Sequence, residues 1–293
     1  MIFISTGGRR NQTAATTALE YYRHDLYDVE LSGGAYSPTC EADLKALPKD
    51  LRLQVHNYFP PPASPFVFNL ASSDTHTAAL SLAQVRTGMQ TAVLVGRPIY
   101  SFHAGFRIDP KVSELGERLI CREMTDRAQA LDIFTERVFL LAEEARRAGV
   151  TLLVENNVLN EVNLATYGQD PLLLTQPDEI ASFMVKAPSN VGLLLDVAHL
   201  KVSARALGFD LVNAHERLKP WIRGYHLSDN DGSADTNEPV TEKSWFWDDL
   251  VRGLDYYSLE VYRIPICDLV AQKSMVMTKL FAEQPKPNRE LKH

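Results

Sequence analysis

The chain has 293 residues, 45% apolar and 23% charged, an ordinary globular composition and long enough to bury a large core without staples. Lys and Arg number 30 against 37 Asp and Glu, a net charge of −7, which argues against a general polyanion binder driven by counterion release while leaving room for a local basic groove. No apolar run is long enough for a membrane span, the opening MIFISTGGRR carries its charge after the apolar run, the reverse of a secretory signal, and Cys40, Cys121 and Cys267, odd in number and far apart, fit reduced thiols of a cytoplasmic protein.

Short apolar runs alternate with longer amphipathic ones along the chain. Strands are expected at IFIS (2–5), YDVEL (27–31), LRLQVH (51–56), PIYSFH (98–103), VTLLVE (150–155), VGLLLD (191–196), IRGYHL (222–227) and YYSLEV (256–261). Several are nearly continuous apolar runs, as in parallel strands covered on both faces. The clearest helix lies at 125–148, where Leu131, Phe134, Val138, Leu141 and Ala145 recur at helical spacing, with Thr125 as the expected N-cap and Gly149 placed for a left-handed end. PPPASP (60–65) follows a strand and reads as a stiff loop over one face, and EQPKPNRELKH (283–293) reads as a polar tail after a barrel domain over 1–282.

Eight strand–helix alternations predict a single-domain α/β fold, the (β/α)8 TIM barrel. A doubly wound open sheet is the alternative, but no strand is followed by a glycine-rich phosphate fingerprint.

A barrel places its chemistry where strands end and loops begin. His56, His103, Glu155 and Asp196 end strands three to six, with His199 one turn beyond; His226 and Asp229 close strand seven, and Glu260 lies near the end of strand eight. An ionisable group closing a buried apolar run costs several kcal/mol unless paired or metal-bound. Six strands ending this way on one rim imply a shared ligand. Carboxylates and imidazoles converging in an open ring suit a divalent ion such as Mn²⁺, Co²⁺, Zn²⁺ or Fe²⁺. Each residue also has a plainer reading. Glu155 fits a carboxylate taking loop amides, Asp196 a helix cap, His226 a hydrogen-bonded rim histidine, and Glu260 a partner for Arg263. Glu30 is as readily structural as functional, and of the acidic run 229–235 only Asp229 and Asp235 invite a role. Arg107 and Arg223 lie near strand ends, where they could meet a phosphate.

SFHAGF (101–106), LLVENN (152–157), LLLDVAH (193–199), GYHLSDNDG (224–232) and SLEVY (258–262) resemble, in order and spacing, the motifs of the xylose-isomerase-like barrel superfamily; FNLASSD (68–74) adds to the likeness, which spans roughly 2–265. The group includes sugar isomerases, epimerases and endonuclease-IV-type enzymes. The resemblance implies one divalent metal (Mn²⁺, Co²⁺, Zn²⁺ or Mg²⁺) on Glu155, Asp196, His226 and Glu260, with Glu155 and Glu260 moving protons. It puts His103 and His199 beside the substrate, and His56 and Asp229 are expected there too. The implied reaction is isomerisation or epimerisation of a sugar or sugar phosphate through a metal-stabilised enediolate. A dehydratase or lyase on a polyol, an AP endonuclease, and a non-catalytic metal-binding barrel are the alternatives. The endonuclease branch uses an Asp-x-His pair where this chain has Asp235-Thr-Asn237, and the acidic balance disfavours nucleic acid. The expected partner is a small carbohydrate, with no membrane; a homo-oligomer is compatible with the sequence.

Overall fold

A computed structural model describes residues 1–281. The strands are β1 (Ile2–Ser5), β2 (Asp28–Leu31), β3 (Arg52–His56), β4 (Ile99–His103), β5 (Thr151–Glu155), β6 (Val191–Asp196), β7 (Ile222–Leu227) and β8 (Tyr257–Leu259). All neighbours are parallel, and β8 pairs with β1, closing the barrel in chain order. The helices are α1 (Ala14–Tyr22), α2 (Cys40–Lys45), α3 (Thr75–Leu94), α4 (Arg127–Arg147), α5 (Glu161–Tyr167), α6 (Pro177–Lys186), α7 (Val197–Leu207), α8 (Leu211–Leu218) and α9 (Ile266–Phe281). No helix is long and apolar enough to cross a membrane among the described residues. The tail expected at 283–293 lies outside them.

Every expected strand is present, with small changes at the ends. Pro98 has no N–H for a ladder, so β4 starts at Ile99. β8 is shorter than expected: Glu260 N–H still reaches Leu227 O, but Tyr262 N–H turns away to Asn237 O. The helix at 125–148 is α4, but its cap is Asp126, not Thr125. The Asp126 carboxylate accepts from the N–H groups of both Ala128 and Gln129, while Thr125 N–H goes to Arg107 O. The alternation also breaks once: the connection from β7 to β8 contains no α-helix. Its polar turn formers, with Gly232 and Gly253 at positive φ, favour turns over a helix. It is pinned by reciprocal backbone bonds between Asp229 and Glu238 and by the Trp247 indole donating to Thr241 O.

The strand ends converge because side chains alternate along each strand. Residues two apart share a face, so Phe3 and Ser5, Asp28 and Glu30, Leu153 and Glu155, and Leu194 and Asp196 are in phase. The lower interior is apolar, a buried cluster of Phe3, Leu153, Leu194 and Tyr256. Arg97 stands over the Phe3 ring at 4.9 Å, donating to Gln54 and to Asp255 O. One step further along the strands, the interior becomes polar. The larger apolar core lies outside the strands, under the helices, and includes Val29, Val55, Tyr100, Phe134, Leu195 and Leu227.

Candidate metal centre

Glu155, Asp196, His226 and Glu260 are buried, and one donor atom from each lies within 4.8 Å of the other three. They come from the last positions of β5 and β6, the last but one of β7 and the residue after β8. His226 is central. Its Nδ1 lies 3.1 Å from Glu155 Oε1, 3.5 Å from Glu260 Oε2 and 4.0 Å from Asp196 Oδ2.

Asp196 divides its labour. Oδ1 caps α7, accepting from the N–H groups of Ala198 and His199 at 2.7 Å each. Oδ2 is buried with no hydrogen-bond partner and faces the cluster. The cap reading of Asp196 is thus true of one oxygen and silent on the other. The loop-amide reading of Glu155 does not describe its surroundings. Its Oε1 meets His226, while its Oε2 lies 3.3 Å from His56 Nε2 and 3.2 Å from His103 Nδ1 without an aligned hydrogen bond. Glu260 Oε1 accepts from Ser5 Oγ at 3.2 Å and Tyr262 OH at 3.1 Å; Arg263 points instead to Thr236 O. The close approach of Tyr262 needs Gly7, where an added Cβ would lie 2.2 Å from the phenol oxygen.

Burial would raise every one of these carboxyls, and the neighbours decide the outcome. For Glu155, the imidazoles of His103, His226 and His56 overcome burial and hold it well below the usual range. Asp196 is pushed up to about 6 by burial, which His199 only partly offsets. Glu260 is pushed up to about 8 by burial. Burial lowers His56 to about 3, so this ring is neutral. Carboxylates crowded in this way cannot all ionise together unless a cation joins them. A divalent ion therefore fits: three carboxylates and one imidazole at metal-ligand range, with Asp196 Oδ2 lacking a hydrogen bond and only His199 Nε2, at 3.7 Å, as a further neighbour.

The remaining expected residues fall into two groups. His56, His103 and His199 border the cluster. His103 is the most open of them, its side chain 32% exposed. His199 donates from Nδ1 to Asn156 O at 3.0 Å, and its Nε2 lies 3.3 Å from Asp235 Oδ2. Asp229 is not in this group: its carboxylate takes Lys201 Nζ and Ser244 Oγ, each at 2.7 Å, and so braces the β7–β8 connection. Arg107 is spent on Thr125 O, Gln169 and Asp170 O, and Arg223 sits at the start of β7, opposite to the end that carries His226. His56, His103 and Glu155 form a second donor group that shares Glu155 with the first. The residues with no earlier expectation are Ser5, Tyr262, Ser101 and Tyr256. Ser5 and Ser101 stand on the inward phase of their strands, the one signal that marks them beforehand.

A closed parallel barrel whose C-terminal rim gathers buried carboxylates and imidazoles defines the class: a (β/α)8 protein with a candidate divalent-metal centre. Residues 14–257 match the family model of the xylose isomerase-like TIM barrel, and the chain belongs to that family. Solved structures agree on the fold. A D-tagatose 3-epimerase-like protein superposes with a TM-score of 0.69 at 17% identity, covering 95% of this chain and 96% of that one. A putative xylose isomerase from Rhodospirillum rubrum gives 0.66 at 17% identity, covering 97% and 99%. Endonuclease IV from Thermus thermophilus gives 0.54 at 18% identity, covering 94% and 98%. No curated protein sequence matches the chain.

Proposed function

We propose that this protein is a divalent-metal-dependent isomerase or epimerase that moves a proton between carbons, or between faces of one carbon, of a polyhydroxy carbonyl compound. The observation that carries the reading is the convergence of Glu155, Asp196, His226 and Glu260 with Asp196 Oδ2 left without a hydrogen bond. These four residues would hold Mn²⁺, Co²⁺, Zn²⁺ or Mg²⁺. When bound, such an ion supplies positive charge that polarises a carbonyl and makes its neighbouring C–H more acidic.

The chain's own groups do the rest. Glu155 ends β5 and Glu260 follows β8, so the two carboxylates reach the centre from different strands. Without an ion, their surroundings push their proton affinities apart, Glu155 down and Glu260 up to about 8. With an ion bound both would be ionised, and two carboxylates at one centre are the pair needed to take a proton and return one. Ser5 and Tyr262 fix the Glu260 carboxyl. His103, partly open, and His199, held by Asn156 O, would meet substrate oxygens. The loop after β3 forms a wall of the same rim, tied to α3 by Gln84 donating to Pro60 O. A small carbohydrate fits this rim better than nucleic acid, given the net charge of −7.

The test is proton exchange in heavy water over a panel of ketoses, aldoses, their phosphates and inositol-derived ketones, with Mn²⁺, Co²⁺ or Mg²⁺. Deuterium should enter the substrate with no other change in mass, and Glu155→Gln or Glu260→Gln should slow exchange by about 10²–10⁴-fold. Loss of one water would make the enzyme a dehydratase. Neither exchange nor turnover across the panel would leave a non-catalytic metal-binding barrel.

A second reading draws on the second donor group, His56, His103 and Glu155. Two ions sharing Glu155 would suit phosphodiester hydrolysis. It predicts more than one metal per chain and incision of abasic DNA; the isomerase reading predicts one metal and no incision.

A further inference from the structure

The inward phase of β2 brings a fourth carboxylate into the barrel, and nothing in the proposed reaction uses it. Glu30 is fully buried. Its Oε2 accepts from His226 Nε2 at 3.0 Å and from the Tyr256 phenol at 2.5 Å. Tyr256 OH is also 3.1 Å from Ser101 Oγ, which is 2.9 Å from His56 Nδ1. His226 thus lies between two sets of carboxylates: Glu30 on the Nε2 side, and Glu155, Asp196 and Glu260 on the Nδ1 side.

We propose that Glu30, itself held by Tyr256, is the positioning residue for His226: it accepts Nε2–H and thereby commits Nδ1 to the carboxylate cluster. An imidazole can present either nitrogen, and the partner of one decides which lone pair is free at the other. A carboxylate in that place also makes the free nitrogen a stronger donor. Glu30 can be approached only from inside the barrel, where the apolar layer of Phe3, Leu153, Leu194 and Tyr256 begins. No substrate group need reach it. The inference rests on His226 being a metal ligand, but not on the reaction proposed above.

The experiment reads metal affinity and the His226 ring, with no turnover involved. In chelator competition, Glu30→Ala should bind Zn²⁺ about 10–100-fold more weakly than the parent. Glu30→Gln, whose amide oxygen can still accept Nε2–H, should recover part of the loss, whereas Glu30→Met, which fills the space without an acceptor, should not; equal rescue by both would mean that Glu30 merely fills space. With isotope-labelled histidine, the hydrogen-bonded Nε2–H signal of His226, identified by its absence in His226→Gln, should vanish in Glu30→Ala and survive in Glu30→Gln. Parent-like zinc affinity in Glu30→Ala, or an unchanged His226 signal, overturns the assignment. If no Glu30 variant folds, Tyr256→Phe decides. Removing the competing phenol donor should strengthen the remaining bond and move the His226 Nε2–H signal downfield; no movement overturns the assignment. A silent sugar panel would refute the proposed reaction and leave this inference standing.

Discussion

At the residue scale, Asp196 shows how one side chain serves two ends. Its Oδ1 caps α7 and its Oδ2 faces the cluster without a partner. Asparagine caps helices as well as aspartate does, so Asp196→Asn separates the roles. Metal-free Asp196→Asn should unfold within about 1 kcal/mol of the parent, because the cap persists. Its metal affinity should fall by more than the roughly 10–100-fold typical of residues that act behind a ligand. Equilibrium dialysis and urea unfolding on one preparation read both; undiminished metal binding would remove Asp196 from the site. Glu155→Gln and His226→Ala should likewise release the metal from a folded barrel.

At the scale of elements, contacts between neighbours explain residues that local preference does not. Gly88 sits within α3, where glycine costs about 1 kcal/mol relative to alanine. An added Cβ there would come within 2.3 Å of the Tyr100 ring on β4, and Tyr100 is fully buried and cannot yield. Gly88→Ala should therefore destabilise the fold by about 1–3 kcal/mol despite its better helix propensity; a gain in melting temperature would contradict this packing. α8 docks through His215, stacked on Tyr225 of β7 and edge-on to Trp245. The Tyr225 phenol is 2.9 Å from His215 Nε2. Burial lowers this histidine from 6.5 to about 4. The folded state thus resists a proton that the unfolded chain accepts below about pH 6.5, and stability falls as the pH drops from there towards 4. At pH 5 the loss from this one group is about 2 kcal/mol. His215→Gln should flatten the stability profile between pH 7 and 5 by that amount; parallel profiles for the two proteins would refute the assignment.

At the scale of the whole molecule, the candidate ligands come from four strands of a closed barrel, β5 to β7 and the end of β8. An ion held there joins elements far apart in the chain and binds only the folded state. A free metal concentration 100 times the dissociation constant should stabilise the protein by about 2.7 kcal/mol. Calorimetry with and without a chelator measures this, and Asp196→Asn should show no such response. A parent protein whose melting point ignores every divalent ion tested would refute the metal centre.

The eight strands, the barrel and the residues that end the strands were legible in the sequence, because parallel strands buried on both faces leave apolar runs and a polar residue closing such a run stands out. Glu155, Asp196, His226 and Glu260 are visible on that basis alone. Other features depend on contacts between distant segments and leave no local mark. Asp229 follows β7 by two residues and reads like His226 in the sequence, yet only the fold reveals that Lys201 and Ser244 occupy it. Asp126 and Thr125 are both good caps by type, and backbone direction chose between them. The missing helix between β7 and β8 was hidden because turn formers and aromatic residues there carry no period of their own. Glu30 looked indifferent because its partners, His226 and Tyr256, lie about 200 residues away and meet it only once the barrel closes. Periodicity along one strand determined which residues face inward; closure of β8 onto β1 decided which of them touch.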